Sequence, residues 1–151
     1  MGFEPGKMMF IDVISTFASL AKSTRQGKFD VYMRWGLSEE EVSAAFQKRP
    51  FFLNPSEEQI TGVMDLFVNK LRWDASLVAM NPVIVSLSLK KRLLPRAAVL
   101  EFLTSKGLVK KDYRAPYFFI MTDQLFFSTH VHPYDEALEI HKLYVSKLSP
   151  S

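Results

Sequence analysis

The sequence predicts an all-α chain organised as an α-solenoid, in which short helical units stack on one another. Apolar residues recur with the spacing of one helix face over most of the chain. Three prolines, each followed by an apolar triplet, stand at intervals of 32 and 34 residues. A period of about 20 to 50 residues is typical of repeat proteins, because no single unit can bury its apolar face alone. The prolines are Pro50, Pro82 and Pro116.

The first part of the chain predicts two helices. Apolar residues from Phe10 to Ala21 stand three and four positions apart, which places them on one face of a helix. A second, shorter helix is predicted from Phe29. It ends at Gly36, because glycine adopts the left-handed backbone of a helix C-terminus without a steric penalty.

Two segments carry the pattern of a capping box. In Ser38 to Glu41 and in Ser56 to Gln59, a serine stands three residues before a glutamate or a glutamine. The two side chains of such a pair satisfy backbone N–H groups at the start of a helix. The sequence therefore predicts that helices begin after Ser38 and after Ser56.

Prolines limit the helices that follow. A short helix begins after Asp74 and has to end before Pro82, since the residue before a proline is pushed out of helical geometry. Pro95 is predicted to open a helix that ends at Gly107, because proline is tolerated in a first turn. The aromatic residues at 112–121 have the composition of a strand. We predict a helix end and a turn there, because a two-stranded sheet would be isolated.

The predicted unit is a helix, a proline-led apolar turn and a second helix. A serine stands six residues after each of the first two prolines, and a helix of about a dozen residues follows it. We expect a single domain over 1–151 with one shared core. It divides into a partial repeat at 1–36, repeats at 37–72 and 73–107, and a C-terminal cap at 108–151.

Composition excludes several classes of protein. The chain has 151 residues, is 48% hydrophobic and contains no cysteine, which excludes disulfide scaffolds, thiolate zinc sites and cysteine nucleophiles. The most apolar early stretch, Met8 to Leu20, is interrupted by Asp12 and is shorter than the roughly 20 residues of a membrane span. No membrane partner is therefore expected, and no targeting segment is recognisable.

Charge is concentrated in one segment. The chain carries a net charge of +3, but residues 86–115 contain eight basic and two acidic residues and the rest of the chain is net acidic. Such a segment can bind phosphates, which give affinity without sequence information. Arginines and lysines four residues apart would share a helix face. The predicted nucleic-acid-binding residues are Lys90, Lys91, Arg92, Arg96, Lys106, Lys110, Lys111 and Arg114.

The alternative is that these charges only solvate helix surfaces. Two tyrosines beside the basic segment, Tyr113 and Tyr117, could stack on bases, but packing in the core is the preferred interpretation. Trp35 and Trp73 stand at the ends of predicted helices and are expected to pack between repeats.

Catalytic and cofactor motifs are missing from the sequence. His130 and His132, with Asp135 nearby, form an incomplete metal site, since zinc needs at least three protein ligands and the chain has no cysteine. The sequence has no glycine-rich phosphate loop and no nucleophile elbow. We therefore predict that the chain is not an enzyme and binds no metal or cofactor.

Several of these segments resemble the mitochondrial transcription termination factor family (mTERF), particularly its plant members. The resemblance covers nearly the whole chain in order, and its most specific part is Ser86 to Arg96. The other matching segments are Trp35 to Val42, Phe46 to Phe52, Ser56 to Glu58, Ser105 to Leu108 and Phe126 to Tyr144.

The resemblance implies three-helix mTERF-type repeats, two helices α and one 3₁₀, curved around a basic groove. It implies a monomer in a mitochondrion or chloroplast that binds double-stranded DNA and regulates or terminates transcription. Organellar RNA binding in intron splicing or RNA processing is an alternative, and a protein-interaction scaffold is an alternative of another class. The chain is similar to the C-terminal part of longer family members, or to a short isoform.

Overall fold

The described part of the chain folds into eight α-helices joined by short turns. The computed structural model describes residues 5–148, and within them the side chains of residues 5–14 and of Phe17 lie outside the description. No strand occurs in this described part, which agrees with the predicted all-α class. The helices are α1 (Pro5–Arg34), α2 (Glu39–Lys48), α3 (Glu57–Met64), α4 (Ala75–Met80), α5 (Leu94–Ser105), α6 (Tyr117–Ile120), α7 (Asp123–His130) and α8 (Ala137–Leu148).

Four shorter helical segments connect or extend these helices. Two are 3₁₀ turns, at Pro50–Leu53 and Pro82–Ser86, and each begins with a proline. Two are wider, π-helical turns: Asp65–Lys70 continues α3, and Leu89–Leu93 leads directly into α5. The predicted 3₁₀ helices are therefore confirmed.

The two helices predicted before Gly36 form one continuous helix, so their separation was wrong. α1 has 30 residues, and Gly27 lies inside it without ending it. Most side chains of the predicted apolar face of α1 lie outside the described part of the structure. Ala18 and Ala21, which are described, are exposed.

The end of α1 and the start of α2 follow the predicted capping signals. Gly36 has a φ of 103° and ends α1 in the conformation that glycine adopts without a steric penalty. Ser38 Oγ accepts from the backbone N–H of Glu41, and the Ser38 N–H donates to the Glu41 carboxylate. The first capping box is therefore confirmed.

The order of elements recurs along the chain. α2, a 3₁₀ turn and α3 are followed by α4, a 3₁₀ turn and α5, and α6 then leads into α7. In all three places, the hydroxyl six residues after the proline accepts a backbone N–H at the start of a helix. The third hydroxyl belongs to a threonine, so the recurrence of serine alone did not predict it. The three caps are Ser56, Ser88 and Thr122. The division into repeats at 37–72 and 73–107 stays a prediction.

Side chains from one unit donate to backbone carbonyls of the next proline-led turn. From α1, Lys28 Nζ donates to Asn54 O at 3.1 Å and Tyr32 Oη to Phe52 O at 2.7 Å. Gln59 Nε2 on α3 donates to the carbonyls of Val85 and Leu87. We find no return bond from Gln59 to the Ser56 N–H, so the second capping box is only half formed. These bonds tie successive units together.

Pro95 stands in the first turn of α5, as predicted, but helical structure already begins in the wide turn at Leu89. In the wide turn before it, the backbone N–H groups of Leu93 and Leu94 donate five residues back. A proline inside a regular α-helix clashes with the carbonyl four residues earlier, and a wide turn is one way to relieve that clash. Pro95 is thus accommodated inside the helical segment.

The buried residues form one hydrophobic cluster that extends from α1 to α8. At its centre Phe119 of α6 packs against Phe67 at 4.8 Å and against Trp73 at 5.6 Å between ring centroids. Trp73 is therefore packed in the core between α6 and the end of the α3 segment. Its predicted position between two repeats depends on the division of the chain into repeats and stays a prediction. Units also approach closely at Gly62, where an added Cβ would lie 2.7 Å from Leu89 Cδ2.

Replacing Tyr32 with phenylalanine is expected to destabilise the protein by about 1–3 kcal/mol. Tyr32 is fully buried, its ring stacks on Phe52 at 4.1 Å, and its hydroxyl is the donor to Phe52 O. The variant keeps the ring and leaves the carbonyl without that donor. Urea unfolding followed by circular dichroism measures the loss. Tyr134→Phe is the control, and equal stability of the two variants would contradict the role of this bond.

Candidate nucleic-acid interface

Lys90 and Lys91 lie in the wide turn that precedes α5, and both side chains are exposed. Ser88 holds the start of this turn, since its hydroxyl accepts from the Lys91 N–H at 3.1 Å. The two lysines line a groove of about 550 Å³ between this turn and the start of α3. The groove also contains one carboxylate, that of Glu58. Both lysines are therefore accessible to an anion in the solvent.

The second exposed group lies after α5. Lys106, Lys110, Lys111 and Arg114 are all exposed, and residues 108–116 are not helical. Lys110 and Arg114 therefore do not share a helix face, and the prediction that they would was wrong. Lys106 Nζ lies 5.6 Å from the centre of the Phe102 ring, a cation–π distance.

Arg114 is held in place by backbone carbonyls. Its Nη2 donates to Arg72 O at 3.3 Å, and its Nη1 donates to Tyr113 O at 3.2 Å and to Lys111 O at 3.4 Å. Within residues 5–148 no carboxylate forms an ion pair with Arg114. The guanidinium is therefore positioned without being neutralised.

Arg92 and Arg96 share a helix face, as predicted, but that face is turned toward α6. Arg92 is half-buried, and its Nη1 donates to Ile120 O at 3.4 Å. Arg96 Nη1 donates to three carbonyls at the end of the same short helix, and the bond to Met121 O is 2.7 Å long. The last carbonyls of a helix have no partner inside it, so the two arginines supply donors where α6 needs them.

Arg96 has to be removed from the predicted phosphate contacts. Its side chain is 0% exposed and forms an ion pair with Asp123 at 2.9 Å. Its guanidinium carbon also lies 4.5 Å from the centre of the Phe126 ring. A phosphate outside the fold cannot reach this group. Arg96 fixes α6 and α7 against α5 instead.

The fold thus places the predicted nucleic-acid-binding residues in separate groups. Lys90 and Lys91 line one groove, Lys111 and Arg114 line another small pocket, and Arg92 and Arg96 support α6. Sequence reasoning missed Lys70, which lines the same pocket as Lys111 and Arg114. Its position near the end of the π-helical turn offered no charge pattern that could reveal it.

A family comparison decides what kind of repeat this is. The mTERF family model matches residues 9–127, which include α2 to α6 and most of α1 and α7. The chain belongs to the mTERF family. No curated protein and no solved structure matches it.

Membership of the mTERF family confirms the resemblance to that family over residues 9–127 and implies a helical-repeat solenoid. Proteins of this family are non-enzymatic nucleic-acid binders and are typically organellar. In the described part of this mTERF chain, every helix is too short or too polar to cross a membrane.

One histidine of this mTERF protein, His130, lies near Arg96. His130 is half-buried, with its ring 4.6 Å from that of Phe118, and burial, with a smaller effect of the Arg96 charge, lowers its pKa. His132 and Asp135 are exposed. Among the described residues, no three histidine or acidic side chains are grouped so that they could hold a metal ion.

The two tyrosines beside the basic segment differ in environment. Tyr113 is half-buried with its ring 6.1 Å from Phe118, and burial, followed by the influence of Tyr134, raises its pKa. Packing was predicted correctly for Tyr113. Tyr117 is 57% exposed, so the prediction that it packs in the core was wrong.

Proposed function

We propose that this mTERF protein binds double-stranded DNA in a plant mitochondrion or chloroplast, as a monomer, and regulates or terminates transcription there. The observation that carries this proposal is the group of exposed cations between residues 86 and 115. These are Lys90, Lys91, Lys106, Lys110, Lys111 and Arg114. Phosphates along a strand are the natural partners of such a group.

Two features support phosphate binding over a merely solvated surface. Within the described residues, none of the six cations forms an ion pair with a carboxylate. Exposed charges that only solvate a fold are commonly interspersed with opposite charges. In residues 86–115, by contrast, eight basic residues are accompanied by two acidic residues, Glu101 and Asp112. The surplus charge is therefore available to a polyanion.

The salt dependence of binding tests the proposal. Each double variant, Lys90→Gln with Lys91→Gln and Lys110→Gln with Lys111→Gln, is expected to flatten the plot of log K against log salt by about 1.8 for duplex DNA. The physical reason is counterion release, which falls by about 0.9 for each phosphate contact that is lost. Titration of a labelled duplex at several salt concentrations measures the slope.

A matched control separates local contacts from net charge. Lys22→Gln with Lys142→Gln removes the same charge from exposed positions outside residues 86–115 and should leave the slope unchanged. If this variant flattens the slope as much as the other two, the assigned interface is wrong.

RNA binding in intron splicing or RNA processing is the second candidate, and the exposed ring of Tyr117 favours it. Aromatic side chains beside cations stack on the bases of single strands. Under this alternative, Tyr117→Ala weakens binding to single-stranded RNA about tenfold and leaves duplex binding unchanged. Binding to a protein partner without salt-dependent binding to either nucleic acid would favour a scaffold.

A further inference from the structure

A small pocket of about 160 Å³ lies between the end of the α3 segment and the residues after α5. Lys70 and Trp73 line one side, while Lys111, Tyr113 and Arg114 line the other. Glu101 of α5 contributes the one carboxylate of its lining. The pocket thus joins parts of the chain that are about 40 residues apart in sequence.

The charges of this pocket are unbalanced. Three cations face one carboxylate, and within residues 5–148 none of the four groups forms an ion pair. Arg114 is oriented by carbonyl oxygens of Arg72, Tyr113 and Lys111, so it keeps its full charge. An arginine fixed in this way loses less side-chain entropy when it binds an anion.

Trp73 contributes to the lining of this pocket. Its side chain is 3% exposed, and its indole Nε1 is buried with no hydrogen-bond partner in the described structure. Because this nitrogen has no exposed surface, a ligand in the pocket cannot reach it. The attraction for an anion therefore comes from Lys70, Lys111 and Arg114.

The size of the pocket limits what can enter it. Small-molecule sites usually have about 300–1,000 Å³, so a pocket of about 160 Å³ holds a single group rather than a nucleotide. It adjoins a larger groove of about 650 Å³ between α5 and α8, with Glu101, Thr104 and Lys111 lining both. Lys147 lines the far side of that groove. A chain molecule could leave one group in the pocket and continue along the groove.

We propose that this pocket seats one phosphate group of a nucleic-acid strand whose neighbouring nucleotides follow the groove toward Lys147. A phosphate has only acceptor oxygens, which suits a lining with three cations. The proposal rests on the nucleic-acid-binding function proposed above. It adds Lys70, which lies outside the basic segment, to the binding residues.

Lys70→Gln tests the charge of the pocket. Lys70 is exposed, so this substitution should leave the fold intact. It is expected to flatten the salt slope by about 0.9 for duplex DNA or about 0.7 for single-stranded RNA. Lys142→Gln, an exposed lysine on α8 that does not line the pocket, is the matched control. Equal slopes for Lys70→Gln and wild type would overturn the proposal.

Inorganic phosphate gives a readout that needs no nucleic acid. In a Trp35→Phe background Trp73 is the single tryptophan, and its emission should change with phosphate but not with chloride at matched ionic strength. Lys70→Gln should abolish this change. If nucleic-acid binding depends on salt but phosphate leaves the emission unchanged, the proposed phosphate pocket is wrong and the proposed function is unaffected. The emission change without nucleic-acid binding overturns the proposed function and shows a site for free phosphate.

Discussion

Replacing Arg96 with methionine is expected to lower the free energy of unfolding by about 3 kcal/mol or more. The guanidinium is fully buried and donates to the carbonyls of Phe118, Phe119 and Met121. Methionine has a similar length but no donors, so these acceptors would be left without that partner inside the fold. Each such acceptor costs about 1–3 kcal/mol. Urea unfolding monitored by circular dichroism measures the change.

Asp123→Asn is the control for the ion pair itself. Asp123 is 66% exposed, and asparagine keeps a side-chain oxygen that can accept from Arg96, so this variant should lose less stability than Arg96→Met. The comparison separates the carbonyl contacts of Arg96 from its charge pairing. If both variants lose the same stability, the carbonyl contacts are not what Arg96 contributes.

Replacing Phe119 with alanine is expected to destabilise the protein by about 3–5 kcal/mol. Its buried ring contacts Phe67 and Trp73, which lie in an earlier segment of the chain, and its neighbour Phe118. Removal of the ring leaves a cavity where successive units meet. Thermal and urea unfolding should both shift, and a broadened transition would show that the units no longer unfold together.

Tyr117→Ala is the matched control on the same short helix. Tyr117 is 57% exposed, so its removal should change stability by less than about 0.5 kcal/mol. A large loss at Tyr117 together with a small loss at Phe119 would contradict the packing of α6 described above.

Local signals in the sequence predicted much of the fold. Hydroxyl caps, proline-led turns and apolar spacing act within a few residues, and they located α2, α3 and α4 correctly. The length of α1 could not be predicted in this way. Gly27 and the polar residues around it indicate a break between two helices, but α1 continues through them. Tertiary contacts outweigh such weak local preferences.

The site was harder to predict than the fold. A charge count treats every arginine alike, so it could not separate Arg96, which serves the carbonyls of α6, from Arg114, which remains exposed. Nor could it include Lys70, which reaches its neighbours through tertiary structure. The identity of a cation's partners depends on which segments pack together, and that information is not local.

The bonds from side chains to backbone carbonyls have a consequence for how such repeats diverge. Tyr32, Gln59 and Arg96 each donate to main-chain oxygens of the following unit, and a main-chain oxygen is supplied by any amino acid. The recipient unit can therefore exchange its side chains at those positions while the bond persists. Compensating pairs of substitutions are not required there, so pairwise covariation among homologous sequences should be weak at these unit-to-unit bonds, although breaking one is costly.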